Sequence, residues 1–300
     1  MNETPNPHGI GLWIAGARPR TLPAAVVPVM VGAAAAAGGS GQVWWRASLA
    51  LLVSLSLQVG VNYANDYSDG IRGTDADRVG PLRLVGSGLV PARRVKLAAF
   101  AAFGVAAACG SVLALVTTWW LVAVGLTAIV SAWTYTGGPR PYGYAGLGEV
   151  FVFVFFGLVA TVGTQWVVSE RFTMTGWFAG VVTGCYACAM LVVNNLRDIP
   201  GDTVAGKNTL AVRLGDVATR RFLALLIVVA MVALLVTTFT AGVWAAAGFI
   251  GIVSTRPALD AVSRGAKGRD LIPVLGAIGR AQLVLAVTYS AGLVAASVVR

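Results

Sequence analysis

The sequence predicts an all-α integral membrane protein, and three observations carry that prediction. Of its 300 residues, 57% are hydrophobic and only 11% charged, with a mean hydropathy of +0.78, whereas soluble domains carry about 25% charged residues. The apolar residues come in runs near the ~20 residues that a helix needs to cross a bilayer. Those runs are rich in Gly, Ala, Val and Leu and too long for alternating barrel strands, so helices are meant. A net charge of +10 raises the question of nucleic acid. In a membrane chain it reports loop topology and contact with anionic headgroups, so the expected partner is the lipid bilayer and no nucleic acid.

Taken in order, the segment from Met1 to Gly11 is polar and contains proline, and predicts no cleavable signal peptide. Arg18-Pro19-Arg20-Thr21-Leu22-Pro23 reads as an interfacial foot before a first span at about 24–38. The second span, at about 47–62, delivers a run of acids, and a polar loop with Arg72, Arg78, Arg83, Arg93, Arg94 and Lys96 follows. Spans three and four fall at about 97–115 and 119–135, and a Gly/Pro-rich loop, 136–144, turns the chain back. Span five lies at about 147–168, with Glu170-Arg171 at its far end, and span six, at about 177–196, delivers a second group of acids. Spans seven, eight and nine are predicted at about 222–239, 243–254 and 278–299, the eighth, like the first, being short.

With nine spans, the loops after the even-numbered ones share the side of the N-terminus. Of the 22 Lys and Arg residues, only Arg46, Arg171 and Arg300 fall on the other side. That asymmetry predicts a multi-pass protein of the cell membrane, with the N-terminus and both acidic loops cytoplasmic and the C-terminus outside. Residues 1–300 read as one domain. Asn62-x-x-x-Asp66 and Asn194-x-x-x-Asp198 share a spacing and each ends an even-numbered span, which suggests pseudo-repeat halves at about 20–145 and 146–300.

The cysteines carry little. Cys109, Cys185 and Cys188 all lie in apolar runs, and with no further Cys or His nearby the C-x-x-C of Cys185 and Cys188 reads as inert packing. His8, the single histidine, is expected to be solvated.

The acids are another matter. Asp66, Asp69, Asp75 and Asp77 stand within a dozen residues, and Asp198 and Asp202 form a second group, so half of the twelve carboxylates sit in two places. On helical turns, Asp66 and Asp69 share a face, as do Asp198 and Asp202. Closely spaced carboxylates repel unless a cation lies between them. Small groups of hard oxygens left open to substrate suit Mg²⁺ bound to a phosphate. One such cluster reads as solvated helix ends; two matching ones, in a chain this poor in acids, favour a divalent-metal diphosphate site. A charged head at the membrane face and a long hydrocarbon tail in an apolar bundle describe a polyprenyl diphosphate. Arg72, Arg140 and Lys207, each close to a motif, are the candidate phosphate contacts, set against ordinary loop residues of the basic side.

The same strings resemble a known family. Asn65-Asp66-Tyr67-Ser68-Asp69 with Asp75, paired with Arg197-Asp198-Ile199-Pro200-Gly201-Asp202, is similar to the two Asp-rich motifs of the intramembrane aromatic prenyltransferases, the UbiA superfamily. Ala17-Arg18-Pro19-Arg20-Thr21-Leu22-Pro23, the 77–83 string, Arg140-Pro141-Tyr142-Gly143-Tyr144 and the 206–215 string resemble its 1,4-dihydroxy-2-naphthoate polyprenyltransferases of menaquinone synthesis. The resemblance implies nine transmembrane helices around a central cavity with cytoplasmic cap loops. It implies Mg²⁺ held through the diphosphate by Asp66, Asp69, Asp198 and Asp202 as the catalytic and metal set, with Asn62, Asn65, Asp75, Tyr142 and Asn195 as further substrate-binding candidates. It also implies 1,4-dihydroxy-2-naphthoate as acceptor, with the prenyl group replacing its carboxylate. The chain departs from the broad pattern at Gly73, where a third Asp is usual, and Asp75 is the candidate replacement. The competing readings are a different acceptor such as 4-hydroxybenzoate, a cation-coupled transporter, whose sites lie near the bilayer midplane, and a structural scaffold, which leaves the clustering of acids unexplained.

Overall fold

Proline sets the first boundary of the chain. Helix α1 (Ile10–Ala17) stops at Arg18, whose backbone is left-handed (φ 53°). Pro19 opens a single 3-10 turn, Pro19–Thr21, and Pro23 begins α2 (Pro23–Ala36), a position where its missing N–H is no loss. The arm Ile10–Thr21 meets α2 at 54°, so the predicted foot is a helical arm bent against the first span. The computed structural model describes residues 9–39, 41–73 and 82–299; the predictions for His8, Asp75, Asp77 and Arg300 fall outside them. Among the described residues all regular structure is helical.

Helix α3 (Trp45–Arg72) runs on past Asn62 and ends at Gly73, which takes a left-handed φ of 70° and donates its N–H to the Asp69 and Gly70 carbonyls. Here lies a physical reason for glycine where an acid was awaited: the position is a helix stop that L side chains disfavour. Next come α4 (Ala92–Val116), α5 (Trp120–Thr134) and a 3-10 turn, Tyr142–Ala145. Helix α6 (Gly148–Ser169) is continuous but opens into a π-turn over Phe153–Val159. Helix α7 (Met174–Val204) starts at an N-cap, the Thr173 hydroxyl accepting the Gly176 N–H at 3.0 Å, and runs through Pro200. Helix α8 (Leu210–Ala241) is capped by Thr209 and breaks at Gly215 (φ 76°). A 3-10 turn, Val243–Gly248, then leads into α9 (Phe249–Val253), α10 (Arg256–Ser263) and α11 (Leu271–Val298).

A helix therefore occupies each of the nine apolar runs. By length and hydropathy six of them qualify as membrane spans, or seven if the bent N-terminal pair counts as one. The other two, α5 and the Val243–Val253 stretch, are shorter than a bilayer crossing. Asp66 and Asp69 of the first acid group, and Asp198 and Asp202 of the second, lie within helices, because α3 and α7 each continue beyond their apolar stretch.

Helix α7 is the hub, with 78% of its most apolar window buried. Its Val182, Tyr186 and Val193 form one core with Val27 and Val31 of α2, Leu223 and Leu234 of α8, and Ile278 and Leu285 of α11. Cys185 and Cys188 are buried there as packing. Two tyrosines in this core find acceptors: Tyr186 donates to the Gly251 carbonyl (3.0 Å) and Tyr289 to Thr237 (2.8 Å). Helices α6 and α7 cross where a Cβ on Gly157 would stand 2.5 Å from the Gly184 Cα, an approach that only glycine permits. Outward, large apolar side chains such as Leu115, Trp119 and Phe239 are at least 79% exposed, the surface of a multi-pass membrane protein. Between α2–α7 runs a cavity of about 740 Å³.

Candidate active site

The C-terminal ends of α3 and α7, the 136–144 loop and the Arg18–Thr21 elbow meet at one end of the bundle, and the cavity opens among them. Arg46 and Glu170, paired at 2.7 Å, mark the opposite end. Asp69, Asp198, Asp202 and Lys207 all line the cavity, so the two acidic groups converge.

Asp69, one turn from the end of α3 and nearly fully buried, is the most surrounded. Its Oδ1 accepts from Lys207 Nζ at 3.1 Å and from the Tyr144 hydroxyl. Arg83 approaches its Oδ2 to 3.6 Å. Lys207 also lies 4.7 Å from the Tyr144 ring centroid, a cation–π contact that fixes the ammonium over the loop. Across the mouth, Asp198 is held by its own neighbour: Arg197 donates from Nε (2.7 Å) and Nη2 (2.8 Å) to the two carboxylate oxygens and also reaches Asn194 Oδ1 at 2.8 Å. Such forked, charge-assisted pairs are strong and directional. Asp202, one turn further on, is half-buried and lines the same mouth.

The polar wall continues along α3. Asn65 accepts from the Thr136 hydroxyl at 2.7 Å, and Asn62 donates to the Ala17 carbonyl (2.8 Å) and Thr21 Oγ1 (3.1 Å) while accepting from Gln58 (3.3 Å). Asn195 donates to Glu149 Oε1 at 2.9 Å. Tyr142 stacks on Phe151 with centroids 4.0 Å apart and donates to the Ser131 carbonyl at 2.9 Å. Burial pushes its phenol up, so it stays a donor. Asn62, Asn65, Tyr142 and Asn195 all line the cavity. Deeper in, the walls turn apolar and aromatic, ending near Trp120, Phe172 and Trp177.

Three of the predicted site residues do not line the cavity. Asp66, predicted as a metal ligand, does not line the cavity: it is fully buried, and its two oxygens accept the backbone N–H groups of Leu84 (2.8 Å) and Val85 (2.9 Å). On the helix it faces the returning chain, and it places Arg83 beside Asp69. Arg72, predicted on the phosphate, donates instead to the carbonyls of Thr136 and Gly138 and packs 5.4 Å from the Tyr144 centroid. It holds the loop that presents Tyr144. Arg140 is exposed and stands outside the cavity wall. Sequence reasoning does not single out Arg83, Tyr144 or Glu149. Arg83 and Tyr144 end two of the strings that carry the resemblance, and Glu149 is a lone acid opening an apolar run.

Among the described residues, no three Asp, Glu, His or Cys side chains are close enough to hold a metal ion unaided. The donor set nonetheless fits Mg²⁺, which binds by one or two carboxylates plus substrate phosphates. Asp69 and Asp198 already grip cationic groups of this chain, Lys207 and Arg197, within 3.1 Å.

Comparison with known proteins converges on one family. The family described as UbiA prenyltransferase matches residues 25–270. The chain is 52% identical over 281 residues to the 1,4-dihydroxy-2-naphthoate octaprenyltransferase of Mycobacterium tuberculosis, covering 94% of this chain and 96% of that one. It is 39% identical over 239 residues to the Escherichia coli enzyme of the same name, covering 74% of each. The fold matches a UbiA homolog from Archaeoglobus fulgidus bound to GPP and Mg²⁺, with a TM-score of 0.64 at 13% identity, covering 95% of this chain and 99% of the other. It also matches the apo structure of a UbiA homolog from Aeropyrum pernix K1, with a TM-score of 0.65 at 14% identity, covering 92% and 97%.

Proposed function

Because the chain belongs to the UbiA prenyltransferase family, we propose that it transfers a polyprenyl group from polyprenyl diphosphate to 1,4-dihydroxy-2-naphthoate, forming demethylmenaquinone in menaquinone biosynthesis. The observation that carries this reading is the meeting of Asp69, Asp198, Asp202 and Lys207 at the mouth of a long apolar cavity. Relatives that share half of its residues over nearly the whole chain bear the name of that reaction.

In the reaction, the allylic C–O bond breaks and its electron pair leaves with the diphosphate. A C–C bond forms at the ring carbon that bears the carboxylate. That carboxylate departs as CO₂ and returns its electron pair to the ring. Asp69, Asp198 and Asp202 hold the metal–diphosphate head, and Lys207 and Arg83 supply cationic donors to its oxygens. Mg²⁺, when bound, neutralises the leaving diphosphate and so eases C–O cleavage. The apolar, aromatic walls beyond the mouth seat the tail and keep water from the electron-poor allylic carbon. Asp66 and Arg72 serve the site at one remove, by fixing Arg83 and Tyr144.

The chain is read as one domain that crosses the cell membrane nine times, with α5 and the Val243–Val253 stretch as the short crossings and the mouth facing the cytoplasm. The distribution of basic residues supports that orientation, and the common cavity at the ends of α3 and α7 supports pseudo-symmetric halves. Purified protein supplied with Mg²⁺, polyprenyl diphosphate and dihydroxynaphthoate is expected to release diphosphate and CO₂ in equal amounts. Turnover with 4-hydroxybenzoate and none with the naphthoate would overturn the acceptor assignment.

A further inference from the structure

Four asparagines line the cavity: Asn62, Asn65, Asn194 and Asn195. The first three spend the side-chain carbonyl oxygen on the protein. Asn62 accepts from Gln58, Asn65 from Thr136 and Asn194 from Arg197. Asn195 is the exception. Among the described residues its one side-chain hydrogen bond leaves from Nδ2, to Glu149 Oε1 at 2.9 Å. Glu149 is 4% exposed, and its Oε2 is buried without a hydrogen-bond partner. A carboxyl group so withdrawn from water is costly. As an acid in the first turn of α6 it gains something from the helix N-terminus, but an exposed acid gains that too, so it does not account for the burial. The backbone holds Glu149 in place as well, since its carbonyl accepts from Cys188 Sγ at 3.1 Å. Cys188 and Asn195 stand about two turns apart on α7, so the first turn of α6 is fastened to one face of α7 at two points.

We propose that Glu149 is a positioning residue: it fixes the Asn195 carboxamide with its carbonyl oxygen toward the cavity, where that oxygen accepts a ring hydroxyl of the aromatic substrate. The assignment rests on the prenyltransferase reading given above. A side-chain amide can turn over, and the group behind it decides which end it shows. A carboxylate only accepts, so the amide meets it with an N–H and turns its oxygen the other way. A glutamine in that place would accept or donate, and the amide could then sit either way round. The oxygen turned to the cavity selects its ligand by chemistry. Polyprenyl diphosphate brings acceptor oxygens and no donor, whereas dihydroxynaphthoate brings two hydroxyls. The hydroxyl beside the carboxylate closes an internal hydrogen bond with it, which leaves the 4-hydroxyl free to donate. Asn195 comes one turn of α7 before Asp198, so a ring held there lies just inside the mouth, beneath the diphosphate.

The test compares wild type with Glu149→Gln and Glu149→Met in steady-state assays, in Mg²⁺ titration and in thermal unfolding in detergent. Equilibrium binding of two compounds is followed by tryptophan fluorescence: 1,4-dihydroxy-2-naphthoate, and 1-hydroxy-2-naphthoate, which lacks the 4-hydroxyl. The preference is the ratio of their dissociation constants. Wild type is expected to prefer the dihydroxy compound, because a site built to bond a hydroxyl rejects the analogue without it. Glu149→Met should abolish that preference and raise the KM for dihydroxynaphthoate about tenfold, the worth of one hydrogen bond. Glu149→Gln is nearly isosteric, and should keep the fold and only part of the preference. In both variants kcat, the KM for polyprenyl diphosphate and the Mg²⁺ requirement should hold. A Glu149→Gln protein with the full wild-type preference overturns the positioning role and leaves the reaction intact. So do variants that lose only unfolding temperature, or whose Mg²⁺ requirement shifts as much as the acceptor KM. A wild type that converts dihydroxynaphthoate without preferring it in binding overturns the Asn195 contact alone. One that turns over no naphthoate at all overturns the reaction and the contact together.

Discussion

Lys207 Nζ and Asp69 Oδ1 stand 3.1 Å apart although 138 residues separate them in the chain. This buried contact joins the loop after α7 to the last turn of α3, and so ties together two remote segments at the mouth of the cavity. On the proposed reading, replacing Lys207 by Met removes a cation from the diphosphate, and it leaves the Asp69 charge less balanced. The KM for polyprenyl diphosphate is expected to rise and kcat to fall, together on the order of a hundredfold in kcat/KM. Lys207→Arg should recover part of the loss. Unchanged kinetics in Lys207→Met would remove the residue from the site.

Asp66 and Asp69 are three residues apart and make different contacts, and their asparagine variants should separate. Asp66→Asn keeps the size but offers one carbonyl oxygen where two backbone N–H groups converge. A stability loss of about 1–3 kcal/mol is expected, with the Mg²⁺ concentration for half-maximal activity unchanged. Asp69→Asn should shift that Mg²⁺ requirement upward, and it also costs stability by leaving Lys207 and Arg83 without their buried counter-charge. Mg²⁺ titration of the prenyl transfer, beside thermal unfolding in detergent, reads both. A Mg²⁺ shift in Asp66→Asn as large as that in Asp69→Asn would make Asp66 a ligand after all.

Tyr144 touches Asp69 through its hydroxyl and carries Lys207 and Arg72 on its ring. Tyr144→Phe removes only the hydroxyl. A hydrogen bond to a charged group contributes about 1.5–3 kcal/mol, so activity should fall roughly tenfold to a hundredfold. Tyr144→Leu, which also loses the ring face, should fall further. Equal losses in the two variants would show that the ring contributes nothing.

Chelation tests the metal. EDTA is expected to stop diphosphate release, and Mg²⁺ to restore it without refolding, because none of the core packing involves the carboxylates at the mouth. Turnover that persists in EDTA would exclude a metal-held diphosphate.

The crossing of α6 and α7 offers a prediction far from the chemistry. Gly184→Val forces a side chain against Phe153 and Gly157, where even a single Cβ would approach to 2.9 Å. Overpacking of this kind costs about 1–3 kcal/mol. The unfolding temperature in detergent should drop while Mg²⁺ dependence stays put. A variant as stable as wild type would mean that the helices separate freely at this point.

What the sequence disclosed and what it withheld divide along physical lines. Helical runs follow from composition, and the placement of Asp69, Asp198 and Lys207 at one mouth follows from acids at the ends of even-numbered apolar runs. Helix ends were less legible, because α3 and α7 continue through polar residues that no hydropathy pattern marks. The role of Asp66 was out of reach, since the amides it holds belong to Leu84 and Val85, eighteen and nineteen residues away. Spacing alone makes Asp66 and Asp69 equivalent, and only the returning chain distinguishes them. Arg72 and Arg140 show the same limit: proximity in sequence to a motif does not say which way a long side chain turns.

The two acid-bearing helices differ in how they are housed. In its most apolar stretch α7 is 78% buried and α3 only 39%, so one motif is anchored in a tightly packed helix and the other rides on a helix with one flank on the open cavity. A bilayer thicker or thinner than the hydrocarbon length of α3 tilts that helix and leaves α7 where it is. Acyl-chain length then becomes a dial on the gap between Asp69 and Asp198, and turnover in reconstituted vesicles should peak at one membrane thickness and decline on either side.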